Sequence, residues 1–129
     1  MQQRPDPASE LPELGTPPPD DLVTNDLVVG DGDEATVGSR VTVQYVGVAW
    51  STGEEFDASW DRGQPFSFTL GAQDVIAGWD QGVEGMRVGG RRQLIIPPDL
   101  AYGDRGAGNG VIAPGETLVF VVDLLDVQA

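Results

Sequence analysis

The chain of 129 residues lacks two of the side chains that enzymes most often use for acid/base or nucleophilic chemistry. It contains neither histidine nor cysteine, so the commonest general base, the commonest metal ligand and a thiolate nucleophile are absent. Ser-His-Asp hydrolysis and typical zinc catalysis are therefore excluded. Carboxylates are plentiful, but the spacing of Asp57, Asp61 and Asp80 does not establish that any two of them form a pair suited to glycoside hydrolysis.

Two segments rich in glycine and aspartate resemble ligand-binding loops but lack residues that such loops require. Residues 31–34 are acidic, yet an EF-hand needs alternating ligands, a turn glycine and a closing glutamate, and Ala35 breaks this pattern. We interpret residues 31–34 as a hairpin turn between two strands. Residues 103–110 could suggest a phosphate loop, but a P-loop needs lysine, which the chain lacks. Residues 103–110 instead predict a mobile loop that borders a site. For the chain as a whole, we expect neither a metal nor a cofactor.

Aromatic side chains are the remaining candidates for a functional site. Seven of the nine aromatic residues lie on predicted strands or beside turns: Tyr45, Phe56, Phe66, Phe68, Trp79, Tyr102 and Phe120. Such a set can build an apolar binding pocket or simply the core of a small β protein. Composition alone favours the core.

The spacing of apolar residues predicts the strands that would hold these aromatics. Residues 41–50 alternate, so that Val41, Val43 and Tyr45 face inward while the residues between them face outward. Three later segments have the same character, and we predict five or six strands in all. These segments are residues 65–70, 91–97 and 117–127, the last with Leu118, Phe120, Val122 and Leu124 on one side.

One segment has the periodicity of a helix. Residues 77–86 place Trp79, Val83 and Met86 at positions i, i+4 and i+7, and glycines 89 and 90 follow as a stop signal. The predicted fold class is α+β, with a five- or six-stranded antiparallel sheet curled around this one short helix. A pocket between helix and sheet would be lined by aromatic side chains.

Composition also bounds the organisation and the partners of the chain. Residues 1–21 are rich in proline and acidic residues and predict a disordered tail, whereas residues 22–129 predict one domain. The formal net charge of −14 makes nucleic acid and anionic membrane surfaces improbable partners. The N-terminus lacks the pattern of a signal peptide, so we expect a cytoplasmic protein. All seven basic residues are arginine, which suggests a high-GC bacterium.

Six segments, in register along the chain, closely resemble the FKBP-type peptidyl-prolyl cis-trans isomerases, in particular single-domain bacterial members. The segments are VQYVG (43–47), TGEEFDAS (52–59), RGQPFSFTLG (62–71), VIAGWDQGVEGM (75–86), LAYGDRGAG (100–108) and PGETLVFVVDLL (114–125). The chain departs from the family pattern in the loop between Tyr102 and Thr117, which is glycine-rich and one residue longer than in the smallest members. This loop leaves the substrate preference open.

The resemblance implies a pocket in which a substrate proline enters between sheet and helix. It assigns a floor to Trp79, walls to Tyr45, Phe66, Val75, Ile76 and Phe120, a rim to Phe56 and Asp57, and overhanging positions to Val111 and Ile112. It further implies that the hydroxyl of Tyr102 and the backbone N–H of Ile76 donate to substrate carbonyls. Tyr45 and Arg62 would hold Asp57, which either acts electrostatically or only shapes the rim. On this basis Tyr45, Asp57, Trp79 and Tyr102 are the catalytic candidates.

The implied function is acceleration of Xaa-Pro isomerisation during protein folding, and this reaction suits the composition. No covalent bond is broken when an amide rotates, so neither a nucleophile nor a cofactor is needed. The expected partners are proline-containing peptides and unfolded or partly folded proteins, with macrolides of the tacrolimus or rapamycin type as further ligands and a monomer as the expected state. Two alternatives remain: a module that only holds prolines, or a domain that merely carries a functional acidic tail.

Overall fold

The computed structural model describes residues 19–101 and 115–128, apart from the side chain of Arg62. Its strands are β1 (Val23–Val28), β2 (Arg40–Ala49), β3 (Glu55–Ala58), β4 (Phe66–Thr69), β5 (Arg91–Ile96) and β6 (Leu118–Gln128). Its helices are α1 (Ser59–Arg62), α2 (Ala77–Gly82) and a 3-10 turn (Pro98–Leu100). None of these helices has the length and apolar character needed to cross a bilayer. Residues 1–18 of the predicted tail lie outside the described residues.

The six strands form one antiparallel sheet, which confirms the predicted fold class. The strand order is β1-β5-β6-β2-β3, and β4 also pairs with β2. Strands β2 and β6 form the long central pair, from Arg40 opposite Gln128 to Ala49 opposite Leu118. The other edge of β2 is divided, because β4 pairs with its first part and β3 with its last part.

The core lies between one face of this sheet and α2. Alternate residues of β2 and β6 fill it, because side chains of a strand point to opposite faces in turn. The residues predicted to face inward are all buried in this core: Val41, Val43, Tyr45, Leu118, Phe120, Val122 and Leu124. The alternation in the sequence therefore identified the inner face of both central strands.

Helix α2 lies close against β5 because two of its residues have no side chain. A Cβ atom placed on Gly78 would lie 2.4 Å from Cγ2 of Ile96, and one on Gly82 would lie 2.9 Å from Cδ2 of Leu94. Ile96 and Leu94 alternate along β5 and so face the same side of the sheet. Glycines four residues apart on one helix face thus allow the helix to approach the strand.

The predicted helix is shorter than the sequence indicated. The periodic segment runs to Met86, but α2 ends at Gly82, and Met86 then donates its N–H to the carbonyl of Val83 in a tighter turn. Gly85 adopts a left-handed conformation, with φ of 88°, and its N–H bonds the carbonyl of Ala35 outside the helix. Val83 and Met86 are nevertheless buried in the core, as predicted. The single turn α1 and the 3-10 turn were not predicted, because each is too short to produce a periodic pattern.

The interpretation of residues 31–34 as a hairpin turn was wrong. Strand β1 pairs with β5 rather than with β2, so this segment does not connect two paired strands. It runs beside residues 86–88 instead, where Gly32 donates to the carbonyl of Val88 and Val88 donates back to the carbonyl of Asp33. Glycine and aspartate mark a change of chain direction, but they carry no information about which remote strand the chain will meet.

Two arginine–aspartate pairs tie β5 to its two neighbouring strands. Arg91 makes a bidentate contact with the buried Asp123 of β6, at 2.6 and 2.8 Å, and this hydrogen bonding raises the pKa of Arg91. Arg92, which points to the other face, pairs with Asp26 of β1 at 2.6 Å. The two pairs fix β5 from both sides.

The close packing of α2 predicts that Gly78→Ala destabilises the protein, although alanine normally favours a helix over glycine by about 1 kcal/mol. We expect a loss of about 1–3 kcal/mol in the free energy of unfolding, because the added methyl group must displace Ile96 or the helix. Urea unfolding followed by circular dichroism measures this. Ile96→Ala should cost less in the Gly78→Ala background than in the wild type, and additive costs or a stabilised Gly78→Ala protein would refute the packing argument.

Candidate active site

A cleft of about 230 Å³ opens between α2 and the inner face of the sheet. Its lining residues are Tyr45, Phe56, Asp57, Phe66, Asp74, Val75, Ile76, Trp79 and Phe120. Every residue that the sequence analysis assigned to the pocket and that the structure describes with its side chain lies in this lining. Asp74 was not foreseen, because an exposed carboxylate in a turn has no sequence signature of its own.

Tyr45 is placed at the point where the divided edge of β2 has no strand partner. Val43 pairs with Phe66 of β4 and Val46 pairs with Ala58 of β3, which leaves Gln44 and Tyr45 between the two. The fully buried Ser59 fills this gap: its Oγ accepts a hydrogen bond from the backbone N–H of Tyr45 at 2.7 Å and donates to Oε1 of Gln44 at 2.6 Å. The Ser59 hydroxyl therefore bonds the backbone N–H that a neighbouring strand would otherwise have paired, at the residue whose ring lines the cleft.

Tyr45 and Asp57 form the polar side of the cleft. The phenolic O–H of Tyr45 donates to Oδ2 of Asp57 at 2.6 Å, the short distance expected for a hydrogen bond to a carboxylate. The predicted contact between the two is thus present. The side chain of Arg62, the other predicted partner of Asp57, lies outside the described part of the structure.

Trp79 lies at the centre of an aromatic cluster. Its ring meets those of Tyr45 at 4.9 Å and Phe120 at 5.2 Å, both nearly perpendicular, and those of Phe66 and Phe68 at 6.0 and 5.7 Å. Edge-to-face contacts of this kind stabilise aromatic pairs by about 0.5–1.5 kcal/mol beyond the area they bury. Trp79 is 4% exposed, and its indole N–H has no hydrogen-bond partner among the described residues. The ring is therefore held by packing and by the backbone of α2.

Gly47 makes room for two aromatic rings of the cleft. A Cβ atom on Gly47 would lie 2.7 Å from both Cζ of Phe56 and Cε1 of Phe120. Those two rings meet edge to face at 5.5 Å above the glycine. The sequence analysis assigned no role to Gly47, although a glycine inside a strand often marks a close approach of other groups.

The loop that carries Asp74, Val75 and Ile76 is fastened to α2 by Asp80. The two carboxylate oxygens of Asp80 accept the backbone N–H groups of Gly71 at 2.9 Å and Gln73 at 3.1 Å. Gln73 has φ of 63°, a conformation that a residue with a side chain adopts only at some cost in energy. Asp80 directly follows Trp79, so one short helix holds both the floor and a wall of the cleft.

Three predicted site residues lie outside the described residues: Tyr102, Val111 and Ile112. Their predicted roles stay predictions. Among the residues that the structure does describe, no three aspartate or glutamate side chains converge as a metal site.

Comparison with known proteins identifies the family. A sequence model of the FKBP-type peptidyl-prolyl cis-trans isomerases matches residues 32–125. The chain belongs to this family. It is 65% identical over 121 residues to an FK506-binding protein of Streptomyces anulatus, covering 92% of the present chain and 98% of that protein.

Solved FKBP structures resemble this isomerase as well. The crystal structure of AtFKBP13 superposes with a TM-score of 0.75 at 43% identity, covering 84% of this chain and 93% of that one. FkpA from Escherichia coli superposes with a TM-score of 0.74 at 42% identity, covering 83% of this chain but only 48% of FkpA. The protein is thus a peptidyl-prolyl isomerase of the FKBP type, and proline-containing peptides are its substrates.

We predict that Asp80→Ala loosens the loop of residues 71–76 without unfolding the domain. Two backbone N–H groups lose their acceptor, and each hydrogen bond to a carboxylate contributes about 1.5–3 kcal/mol. Hydrogen exchange should therefore be at least tenfold faster at the amides of Gly71 and Gln73. Glu84→Ala is the matched control, because it removes the same charge from an exposed side chain just beyond the same helix. Unchanged exchange in Asp80→Ala would contradict the assignment.

Proposed function

We propose that the cleft on Trp79 binds the proline ring of an Xaa-Pro substrate and accelerates rotation about the peptide bond that precedes it. The observation that carries the proposal is a cleft whose lining is mainly aromatic and aliphatic, with the carboxylates of Asp57 and Asp74 among its polar groups. The rings of Tyr45, Phe66 and Phe120 stand nearly perpendicular to Trp79 or at a steep angle to it, at centroid distances between 4.9 and 6.0 Å. They leave the Trp79 ring as the floor on which a proline can lie.

The chemistry needs no reactive group. Resonance in the planar amide creates a barrier of about 18–20 kcal/mol, so that Xaa-Pro bonds exchange over tens to hundreds of seconds. In the twisted transition state the nitrogen becomes pyramidal and the charge separation of the planar amide is lost. A water-excluded, apolar cleft therefore favours the transition state over the ground state.

Directed hydrogen bonds would hold the flanking carbonyl groups while the bond turns. The backbone N–H of Ile76 donates to no acceptor within residues 19–101 or 115–128, and Ile76 lines the cleft. We propose that it donates to one substrate carbonyl and that the hydroxyl of Tyr102 donates to another. Asp57 is held by Tyr45 and acts at the rim.

Modest interactions are sufficient for the expected rate. About 1.4 kcal/mol of preferential transition-state binding gives a tenfold acceleration, so about 6 kcal/mol gives about 10⁴-fold. Desolvation of the amide together with two or three oriented hydrogen bonds supplies energies of this order.

The same cleft is our candidate for macrolide binding and for action on folding proteins. The relative from Streptomyces anulatus is named for binding FK506, and the present chain shares most of its sequence. We propose that macrolides of the tacrolimus or rapamycin type compete with peptides for the cleft, and that unfolded or partly folded chains are the natural substrates of a monomeric, cytoplasmic enzyme.

Trp79→Leu should lower kcat/KM at least tenfold, because leucine cannot supply the flat floor under the proline ring. The rate is measured on a short Xaa-Pro peptide by exchange NMR or a coupled assay. Tyr102→Phe, which removes one proposed donor, should cost several-fold. Trp50→Leu is the matched control, since it makes the same change outside the cleft lining. A folded Trp79→Leu protein with wild-type kcat/KM would exclude the cleft as the site of isomerisation.

A macrolide of the tacrolimus type should inhibit the wild type competitively with respect to the peptide, and its affinity should fall at least tenfold in Trp79→Leu. Isothermal titration calorimetry measures this affinity. Inhibition that does not compete with peptide would show that the macrolide binds elsewhere on the protein.

A further inference from the structure

The helix that carries Trp79 has little of its own to hold it in place. Helix α2 has six residues, no side-chain cap at its first end and no basic residue in its last turn. A helix this short is not stable by its own hydrogen bonds, and its last carbonyl groups need partners from elsewhere. Because the indole N–H of Trp79 also has no partner within residues 19–101 and 115–128, the orientation of the ring depends on where the surrounding protein holds the helix.

Arg92 of β5 supplies the missing partner at the end of α2. Its Nη1 donates to the carbonyl of Gly82 at 2.8 Å, and to the carbonyl of Glu84 at 3.0 Å. Gly82 is the last residue of the helix, so the guanidinium brings a positive charge to the negative end of the helix dipole. Arg92, an arginine of β5, thus does what a basic residue in the last turn of α2 would otherwise do.

Arg92 is itself held by the edge strand. Its Nε donates to Oδ1 of Asp26 at 2.6 Å and its Nη2 lies 3.4 Å from Oδ2, and the two residues are direct cross-strand partners. The side chain of Arg92 is only 13% exposed, whereas that of Asp26 is 43% exposed. Four donor contacts therefore leave the guanidinium little freedom to move.

The position of Arg92 completes a row along one face of β5. Ile96 packs on Gly78, Leu94 packs on Gly82, and Arg92 bonds the carbonyl groups just beyond. The two apolar contacts set the distance between helix and strand, but they oppose sliding of the helix along its axis only weakly, because apolar contacts have little directional preference. Hydrogen bonds to specific carbonyl oxygens do stop such sliding, because they depend on direction.

We propose that Arg92 is a positioning residue for the proline cleft. Held by Asp26, it fixes the end of α2 and thereby the height and tilt of the Trp79 ring, although it is not part of the cleft lining. This inference rests on the proposed role of the cleft. It makes the edge strand β1, remote from the substrate, part of the support of the active site.

The test uses two matched pairs of variants in the full chain. Arg92→Met is compared with Arg87→Met, because Arg87 is an exposed arginine whose partners, Gly32 and Glu34, lie outside α2. Arg92→Lys is compared with Arg91→Lys, which weakens a similar bidentate pair on the opposite face of β5. Asp26→Asn removes the anchor and leaves Arg92 in place.

Two readouts are measured at a temperature where circular dichroism shows each variant to be folded. The first is the ¹H–¹⁵N indole signal of Trp79, assigned by its loss in Trp79→Phe. The second is kcat/KM on an Xaa-Pro peptide. In Arg92→Met we expect the indole signal to shift or broaden and kcat/KM to fall about tenfold. We expect a smaller fall in Arg92→Lys and Asp26→Asn, and values within twofold of wild type in both controls.

The outcomes separate this inference from the proposed function. A folded Arg92→Met protein with an unchanged indole signal overturns the positioning role, whatever its activity. A shifted signal with unchanged kcat/KM overturns the link to catalysis, provided that Trp79→Leu does lose activity. If Trp79→Leu keeps wild-type activity, the proposed function fails, and the indole signal alone decides whether Arg92 positions the ring. If Arg92→Met does not fold, Asp26→Asn and Arg92→Lys decide by the same criteria.

Discussion

The contact between α2 and β5 is the one on which the rest of the site depends. Ile96 and Leu94 occupy the space where side chains of Gly78 and Gly82 would lie, so the helix sits closer to the sheet than a helix with side chains on that face could. This short distance brings Trp79 within 4.9 Å of the Tyr45 ring and 5.2 Å of the Phe120 ring. A helix lying farther away would leave a void in the core in place of an aromatic floor.

The sheet contributes to the site through a local break in its regularity. Because β3 and β4 share one edge of β2, a gap remains at Tyr45, and Ser59 satisfies the backbone N–H that a continuous strand would have paired. The gap lets the Tyr45 hydroxyl reach Asp57 at 2.6 Å. The polar groups of Tyr45, Ser59 and Gln44 are tolerated in this gap because each has a partner of suitable geometry. The result is a mainly aromatic cleft with the Tyr45–Asp57 pair on one side.

The parts of the site support one another through α2. Its residue Trp79 forms the floor, and the next residue, Asp80, holds the loop that carries Ile76. The hydrogen bonds of Asp80, which is not in the cleft lining, therefore hold part of that lining in place. This arrangement suits a reaction in which shape and desolvation matter more than reactive groups.

Much of this fold could be predicted from local pattern, because alternation and periodicity are properties of neighbouring residues. The inner faces of β2 and β6 and the core positions Trp79, Val83 and Met86 follow from spacing alone. The hairpin assigned to residues 31–34 was wrong because strand pairing, unlike alternation, is not a property of neighbouring residues. The partner of β1 is β5, more than sixty residues away, and turn residues do not specify remote partners.

For this protein, the sequence by itself determined the fold class, the family and most of the aromatic lining, because six segments in register carry the family pattern and apolar spacing defines the faces of strands. Only the tertiary structure decided how the lining is held: the Ser59 bridge, the Asp80 loop contacts and the Arg92 clamp. Each of these joins polar atoms from distant parts of the chain. Their formation depends on distance and direction in three dimensions, which residue types and spacing along the chain do not contain.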